Sequence, residues 1–261
     1  MLNPLIIFDL TGAQAMFRKF YTNSSSLSYP FPPRTTLVGL IAGLMGYERD
    51  TYYNDLALEC CSIALSIRVP VRQVMQTVNY VLTQSKGSVW SKNTAGFDGS
   101  EGGIQTPVEF IYPTIPRTRL RYRVYVTHQE RKWLENFEKI LKTETWIYPP
   151  CLGMSECLAQ VQYITTLQNW TLTELEQDIQ LSTVVPTHFL NGPPELVDRA
   201  QFIKERMPLE LGPDRRLRAI EDVLYERTGR GITTRVSGLV FNIRYREPGD
   251  EVVKEAGVFW E

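Results

Sequence analysis

The sequence predicts an α+β fold, because segments typical of β-strands flank two segments with helical periodicity. The strand candidates in the first two thirds of the chain are residues 5–10, 61–69, 71–83, 106–112, 118–127 and 157–166. The helix candidates are residues 34–46 and 129–142, in which apolar residues recur three and four positions apart. This order predicts a ferredoxin-like lobe over residues 1–168, followed by a smaller, mostly-β lobe over residues 169–261.

The chain begins with an apolar run, Leu5-Ile6-Ile7-Phe8, that is typical of a buried strand. The segment that follows the strand combines basic and aromatic residues: Phe17, Arg18, Lys19, Phe20 and Tyr21. A polar turn at residues 23–26 then leads to Tyr29 and to prolines at positions 30, 32 and 33. These features predict a surface loop between the first strand and the first helix.

The first helix is predicted to begin at Arg34, directly after Pro33. Its apolar face consists of Leu37, Leu40, Ile41 and Leu44. Three glycines share another face, where a backbone can approach closely: Gly39, Gly43 and Gly46. Free amides at the helix start, together with Arg34 and the hydroxyls of Thr35 and Thr36, suit a phosphate group. The alternative is an ordinary amphipathic helix packed on a sheet.

Four arginines alternate with other residues in the strand candidate at 118–127 and just before it: Arg117, Arg119, Arg121 and Arg123. Period-two alternation places their guanidinium groups on one face of a strand. Like charges on one face repel each other, which favours an anionic partner. The alternative is a solvated face neutralised by Glu109 and Glu130, which lie close in sequence.

A glycine-rich segment at residues 84–105 separates two strand candidates and contains five glycines, two lysines and the isolated aromatics Trp90 and Phe97. Such an insert is either a disordered loop or a protruding finger. Exposed aromatic residues in a loop favour a partner on which they stack.

Beyond Trp170 the sequence patterns are weaker. They predict a short acidic helix or loop at 171–179, a strand at 181–190, a polar stretch at 195–218 and a strand with one basic side at 241–246.

Composition excludes several classes of protein. The 261 residues include 43% hydrophobic residues, and the net charge of −1 with a pI near 6.2 is unusual for a free-standing nucleic-acid binder. The sequence has no apolar run long enough for a membrane span and no signal peptide. The four cysteines and two histidines match no zinc spacing and no disulfide framework, so we expect no metal and no cofactor. Cysteines without a disulfide framework are typical of a reducing compartment, so we expect a cytoplasmic protein.

Sequence motifs of common enzymes are also absent, among them G-x-G-x-x-G after the first strand, a P-loop, G-x-S-x-G and H-E-x-x-H. Metal-independent RNA cleavage needs a base near the 2′-hydroxyl and an acid near the leaving oxygen. His128 lies at a predicted strand-to-helix junction, where it either caps the helix or packs. We therefore predict no catalytic residue.

Two motifs carry a resemblance to a known family. The first is G-x-x-A-x-FRKFYT-x-S-x-x-SYPFPPRTT-x-x-GLIAG-x-x-G, and the second is YPPCLGMSEC at residues 148–157. Both resemble elements of the fifth Cas protein family, which are RAMP-superfamily subunits of CRISPR Cascade complexes. The resemblance extends over residues 1–166 in order. Within the family, the sequence is most similar to subtype I-B proteins.

The resemblance implies a non-catalytic subunit that grips the 5′ handle of a mature CRISPR RNA (crRNA) and caps one end of the filament. It implies phosphate contacts by Arg18, Lys19, Arg34, Thr35 and Thr36. The implied stacking or pocket-shaping residues are Phe17, Tyr21 and Tyr29. The loop at Gly153, Met154 and Ser155 is expected to let RNA approach the backbone. The expected RNA-binding set also includes Lys92 of the glycine-rich segment. Three arginines of the alternating series complete it: Arg117, Arg119 and Arg121.

In the family, the position of the glycine-rich insert corresponds to a β-hairpin thumb, so Trp90 is expected to kink the guide and to meet the neighbouring subunit. The implied partners are the crRNA handle, the repeated backbone subunit and the large subunit, with target DNA contacted indirectly. Two alternatives stay open: an endoribonuclease that processes repeat RNA, and a solo RNA-binding protein. In one subtype, family members cleave the repeat with a tyrosine and a Lys-His pair, and this chain has no Lys-His dipeptide.

Overall fold

The computed structural model describes residues 2–22, 25–81, 103–247, 249 and 251–260, and within them the protein is mostly β-sheet with two α-helices. The strands of the first two thirds are β1 (Leu5–Gly12), β2 (Phe17–Arg18), β3 (Ser28–Tyr29), β4 (Cys61–Ile67), β5 (Val71–Val81), β6 (Gly103–Pro113), β7 (Leu120–His128) and β8 (Ala159–Leu167). The helices are α1 (Arg34–Met45) and α2 (Arg131–Thr143). Both predicted helices are therefore confirmed, with ends shifted by one or two residues.

Strands β1, β4, β7 and β8 form one antiparallel sheet in the order β4-β7-β1-β8. Both faces of this sheet are buried. Ile6, Phe8 and Leu10 of β1 belong to the core cluster that contains the apolar faces of α1 and α2. Leu5 and Ile7 point to the opposite side, where they belong to a second cluster with aromatic residues near the C-terminus. The near-continuous apolar run of β1 is explained by this burial on both sides.

Strands β5 and β6 form a separate hairpin whose pairing runs from Val71 opposite Pro113 to Val81 opposite Gly103. The two strand candidates on either side of the glycine-rich insert are thus confirmed. Residues 84–102 of the insert lie outside the described residues, and so do Trp90, Lys92 and Phe97. The last three residues of the predicted insert, 103–105, belong to β6.

The strands of the last third of the chain are β9 (Thr171–Leu181), β10 (Val185–Pro186), β11 (Phe202–Leu211), β12 (Leu217–Glu226), β13 (Ile232–Arg246) and β14 (Val252–Gly257). They form two three-stranded sheets, with the orders β9-β13-β14 and β10-β12-β11. A short 3-10 helix, Thr187–Phe189, follows β10. Neither α1 nor α2, the helices of the described residues, has the length and apolar character needed to cross a bilayer.

Two predictions for this last third are wrong. Residues 171–179 are not a helix or loop but most of β9, which pairs with β13 over eleven residues. Leu175 and Ile179 of this strand pack against a buried apolar cluster. The acidic residues around them hide the apolar alternation in the sequence, which is why the strand was not predicted. The predicted strand at 181–190 is reduced to the two residues of β10, because the chain turns into the 3-10 helix at Thr187. The predicted basic-sided strand at 241–246 is confirmed as the end of β13.

Candidate nucleic-acid interface

The two sequence motifs, about one hundred residues apart in the chain, meet at an open groove of about 290 Å³. One wall is the exposed side of α1 with Thr36, Gly39 and Gly43, and the other is the loop at residues 148–153. Tyr148 and the neighbouring Ile147 remain 55% and 64% exposed. The groove therefore offers hydroxyl and backbone groups on one side and apolar surface on the other.

The glycines of α1 explain how the second motif approaches the helix. Gly43 faces Tyr148, and a Cβ at Gly43 would lie 3.9 Å from the Tyr148 Cβ. Gly46 ends the helix in the left-handed region with φ of 79°, and a Cβ there would come within 2.6 Å of Ile147. The Ile147 amide donates to the Leu44 carbonyl at 3.2 Å. The close approach predicted for the glycine face is thus made by the protein's own chain.

Gly153 lies at the other end of this loop with φ of 92°. A Cβ at Gly153 would lie 1.8 Å from the carbonyl oxygen of Met16, so no other residue fits this backbone path. The Met16 amide donates to the Leu152 carbonyl at 3.0 Å. The glycine is therefore required by contact with the segment before β2. Beside it, Met154 is half-buried, and the exposed Ser155 hydroxyl donates to Glu156 at 3.0 Å.

The two short strands β2 and β3 hold the loop at residues 17–22 beside this second motif. Phe17 is buried and contacts Tyr122 edge-on, with ring centroids 6.1 Å apart. Tyr29 is also buried, and its hydroxyl donates to the Arg206 carbonyl at 2.7 Å. Neither ring is accessible to a base, so the predicted stacking role is wrong for both, while the alternative role of shaping the handle pocket stays a prediction. Both rings pack beneath the exposed residues of the loop at 17–22.

The exposed side of the same loop carries Arg18 and the aromatic Tyr21. The Arg18 guanidinium donates to the Thr22 carbonyl at 3.2 Å. The Lys19 ammonium group lies 2.6 Å from Glu205 of β11, and the Tyr21 hydroxyl donates to the same carboxylate at 2.9 Å. Burial is the largest single influence and acts to lower the pKa of Lys19, but the hydrogen bond to Glu205, its negative charge and the contact with Tyr21 together outweigh burial, so the pKa lies above its ordinary value. Lys19 is charged, and a phosphate would have to compete with Glu205 for it.

Arg34 was predicted to contact a phosphate, but its side chain is not at the surface, so that prediction is wrong. Its side chain is 1% exposed. Its guanidinium donates to the carbonyls of Leu209 at 3.1 Å, Leu56 at 3.0 Å and Cys61 at 2.7 Å. Burial lowers the pKa of Arg34, yet an arginine remains charged in proteins. Arg34 thus joins α1 to β11 and to the start of β4, while Thr35 and Thr36 remain half-exposed.

The four alternating arginines do not share one free face. Strand β7 begins at Leu120, so Arg117 and Arg119 lie in the preceding turn, with Arg117 at φ of 61°. Arg121 and Arg123 do lie on one side of β7, but that side is covered by the last third of the chain. Arg117 and Arg119 in the turn are therefore exposed, whereas Arg121 is half-buried and Arg123 is buried.

Carboxylates neutralise the two strand arginines. Asp9 accepts two hydrogen bonds from Arg123, at 2.7 and 2.9 Å, and one from Arg121 at 2.7 Å. Arg123 also contacts Glu247, and it donates to the Tyr245 hydroxyl at 2.5 Å. The alternative of a neutralised face is therefore right for these two residues. The partners come from β1 and from the segment after β13, not from Glu109 and Glu130, because neutralisation depends on tertiary rather than sequence proximity.

His128 is held as a structural residue. It is 5% exposed and stacks on Trp133 with ring centroids 4.5 Å apart. Its Nδ1 accepts from the Glu130 amide at 3.0 Å, so its Nε2 carries the hydrogen and donates to the Asp55 carbonyl at 2.8 Å. Both ring nitrogens are occupied, which leaves no lone pair for a base. Among the described residues, no group of His, Cys, Asp and Glu is placed to hold a metal ion.

We expect His128→Ala to lower the free energy of unfolding by about 1–3 kcal/mol, because the Glu130 amide and the Asp55 carbonyl lose a partner. Chemical denaturation of the purified variant measures the effect. A variant as stable as the wild-type protein would contradict this assignment.

Sequence reasoning missed three features of the site. Glu205 was not considered, because it lies in a polar stretch almost two hundred residues from Lys19. The exposed Ile147 precedes the second motif and carries no local signal of its own. The glycine face of α1 was noticed, but its partner is a loop that only the fold places there.

The family model described as "CRISPR-associated protein (Cas_Cas5)" matches residues 5–178, about two thirds of the chain. Among solved structures, a "CRISPR protein from Archaeoglobus fulgidus" is 14% identical, with 97% of this chain and 99% of that chain covered and a TM-score of 0.53. That likeness shows a shared fold.

A chain of a "CRISPR RNA-guided surveillance complex" is also 14% identical, with 97% of this chain and 90% of that chain covered and a TM-score of 0.45. No curated protein matches the sequence. The match of the family model, which includes β1, α1, the second motif and most of β9, is decisive. The chain belongs to the CRISPR-associated Cas5 family.

Proposed function

We propose that this protein is a non-catalytic subunit of a type I Cascade complex that binds the 5′ handle of crRNA and caps the backbone filament. The observation that carries the proposal is the meeting of the two sequence motifs at one groove beside α1. Membership of the family supplies the CRISPR context. The groove supplies a surface for RNA.

The chemistry of the groove suits a short single strand. Such strands are recognised through unstacked bases and through contacts to phosphates and 2′-hydroxyls. The exposed ring of Tyr148 offers a stacking surface, and Thr36 offers a hydroxyl beside the backbone of Gly39. Arg18 and Tyr21, on the neighbouring loop, are the proposed contacts for the rest of the handle. Thr35, Arg117 and Arg119 are kept as further candidates, because Thr35 is partly exposed and both arginines are exposed.

We further propose that the first lobe is ferredoxin-like. Its succession is β1, α1, β4, β7, α2, β8, and the sheet order β4-β7-β1-β8 is the one expected for that fold. RNA-binding domains of this type often use the open face of the sheet. Here the last third of the chain covers that face. RNA binding by loops and by α1 is consistent with this cover.

The hairpin of β5 and β6 is the proposed base of the thumb. Its outer half is largely exposed, including Met75 and Ile104. We propose that it reaches the repeated backbone subunit, with Trp90 and Lys92 near the guide. The large subunit and, through it, target DNA are the remaining proposed partners. The boundary between lobes at residue 168 and a cytoplasmic location belong to the same proposal.

Thr36→Glu tests the groove. Thr36 is the third residue of α1, where a carboxylate favours the helix, so stability should be unchanged or slightly higher. A negative charge in the groove should repel the phosphates of the handle. We expect affinity for a labelled handle RNA to fall about tenfold, which corresponds to about 1.4 kcal/mol. Fluorescence anisotropy at several salt concentrations measures the effect.

Thr36→Gln is the matched control, because it has nearly the same size without the charge. It should bind the handle within about twofold of the wild-type protein, or about 0.4 kcal/mol. Equal binding by wild type and Thr36→Glu would place the handle elsewhere, with the surface of Arg18 and Tyr21 the next candidate.

Two experiments separate the alternatives. Incubation of the purified protein with labelled repeat RNA and no metal tests for an endoribonuclease, and we expect no cleavage. Co-purification from cells tests for a solo RNA-binding protein, and we expect the backbone and large subunits to accompany this chain.

A further inference from the structure

A second and larger cleft of about 970 Å³ shares no lining residue with the groove beside α1. It opens between the turn that joins β8 to β9, the start of α2 and the sheet of β9, β13 and β14. Three cations line it: Arg131, Arg244 and Lys254. Amide side chains of Asn169 and Asn242 and the ring of Trp170 complete its polar and aromatic lining.

Arg244 and Lys254 face each other directly across β13 and β14. Both are exposed, and among the described residues neither side chain has an ion-pair or hydrogen-bond partner. Like charges placed opposite each other across two strands destabilise a sheet. Folding does not explain this pairing, and an anion bound between or above the two cations would offset their repulsion.

The one carboxylate that lines the cleft does not neutralise this pair. Glu255 points to the other side of β14, where it contacts Arg68 and accepts from the hydroxyls of Tyr125 at 2.7 Å and Tyr245 at 2.8 Å. Arg131 pairs with the exposed Glu135 at 3.2 Å. Exposed pairs of that kind contribute little energy, so Arg131 remains available to a ligand.

Trp170 is held in a fixed position at the rim. Its Nε1–H donates to the Asn3 carbonyl at 2.9 Å, and its ring packs edge-on against Phe259 with centroids 5.9 Å apart. An ordered aromatic ring beside cations and amide side chains is typical of grooves that bind single-stranded nucleic acid. A small anion would leave most of the cleft empty.

We propose that this cleft binds the phosphodiester backbone of a single-stranded nucleic acid, at a site separate from the groove beside α1. Arg244 and Lys254 contact successive phosphates, and Arg131 contacts a third at the start of α2. The amides of Asn169 and Asn242 are placed for hydrogen bonds to bases or sugars.

The test is binding of a labelled oligothymidylate to the full chain by fluorescence anisotropy as salt is varied. In the double variant Arg244→Ala/Lys254→Ala, the loss of two phosphate contacts should make the salt slope less steep by about 1.4 and lower affinity roughly 25-fold at about 0.1 M salt. The melting temperature should be unchanged or higher, because a like-charge pair is removed. The double variant Arg244→Lys/Lys254→Arg keeps both positive charges, so it should bind the oligonucleotide as the wild-type protein does.

The matched control is Lys139→Ala/Arg216→Ala, which removes the same charge from exposed positions outside the cleft. It should bind the oligonucleotide as the wild type does. The same comparison in a Thr36→Glu background should give the same loss, which separates this site from the groove beside α1. Equal binding by wild type and cleft variant, or an equal loss in the control, would overturn the proposal. Polyglutamate that binds more tightly than the oligonucleotide, with the same dependence on Arg244 and Lys254, would also overturn it in favour of an acidic protein segment.

Discussion

Arg34→Ala is expected to lower the free energy of unfolding by about 3–5 kcal/mol, because three buried carbonyls lose their donor and a cavity is left. The Leu209 carbonyl belongs to β11, whereas the carbonyls of Leu56 and Cys61 lie just before and at the start of β4. The side chain therefore joins the first helix to the last third of the protein. For a chain of this size, the melting temperature should fall by roughly 10 °C.

Two variants control this experiment. Thr35→Ala changes the neighbouring half-exposed side chain and should alter stability by less than about 0.5 kcal/mol. Arg34→Lys keeps the charge but not the fork of donors, so its melting temperature should lie between those of wild type and Arg34→Ala. Differential scanning calorimetry provides the comparison. If Arg34→Ala melts like the wild type and loses affinity for handle RNA, Arg34 is a phosphate contact after all.

Asp9→Ala is the second change with a large expected effect, again about 3–5 kcal/mol of stability. Asp9 is fully buried and opposes Arg123 directly across β1 and β7. Its removal leaves Arg123 buried with Glu247 as its remaining carboxylate partner, and a poorly compensated buried charge is costly. Because Arg123 also contacts Tyr245, the variant should loosen the packing of β13 on the first sheet. Chemical denaturation measures the stability, and hydrogen exchange of β13 amides measures the loosening.

A double-mutant cycle separates the ion pair from the rest of the network. Arg123→Met is the second single variant, and Asp9→Ala/Arg123→Met completes the cycle. If the buried pair carries the effect, the double variant should be more stable than Asp9→Ala alone by 1 kcal/mol or more, about the size of coupling expected for residues in contact. Additive single effects would show that Asp9 acts mainly through Arg121 or through packing.

The first sheet and its helices could be derived from the sequence to a large extent. The apolar run of β1 and the helical periodicity of α1 and α2 are local signals, and each element formed where its pattern predicted. The strands of the last third were harder to predict, because β9 and β11 carry many charged residues. Their strand character depends on pairing with β13 and β12, which are distant in sequence.

Membership of the Cas5 family was determined by the sequence itself, through two motifs whose residues are recognisable in order. The roles of individual side chains were not. Arg18, Arg34 and Arg123 are alike in sequence terms, yet one is exposed, one is bonded to buried carbonyls and one is paired with Asp9. Only the tertiary structure decided this, because burial and charge pairing depend on which distant segments pack against a residue. Local sequence patterns set the period of a strand or helix, but they do not specify what covers each face.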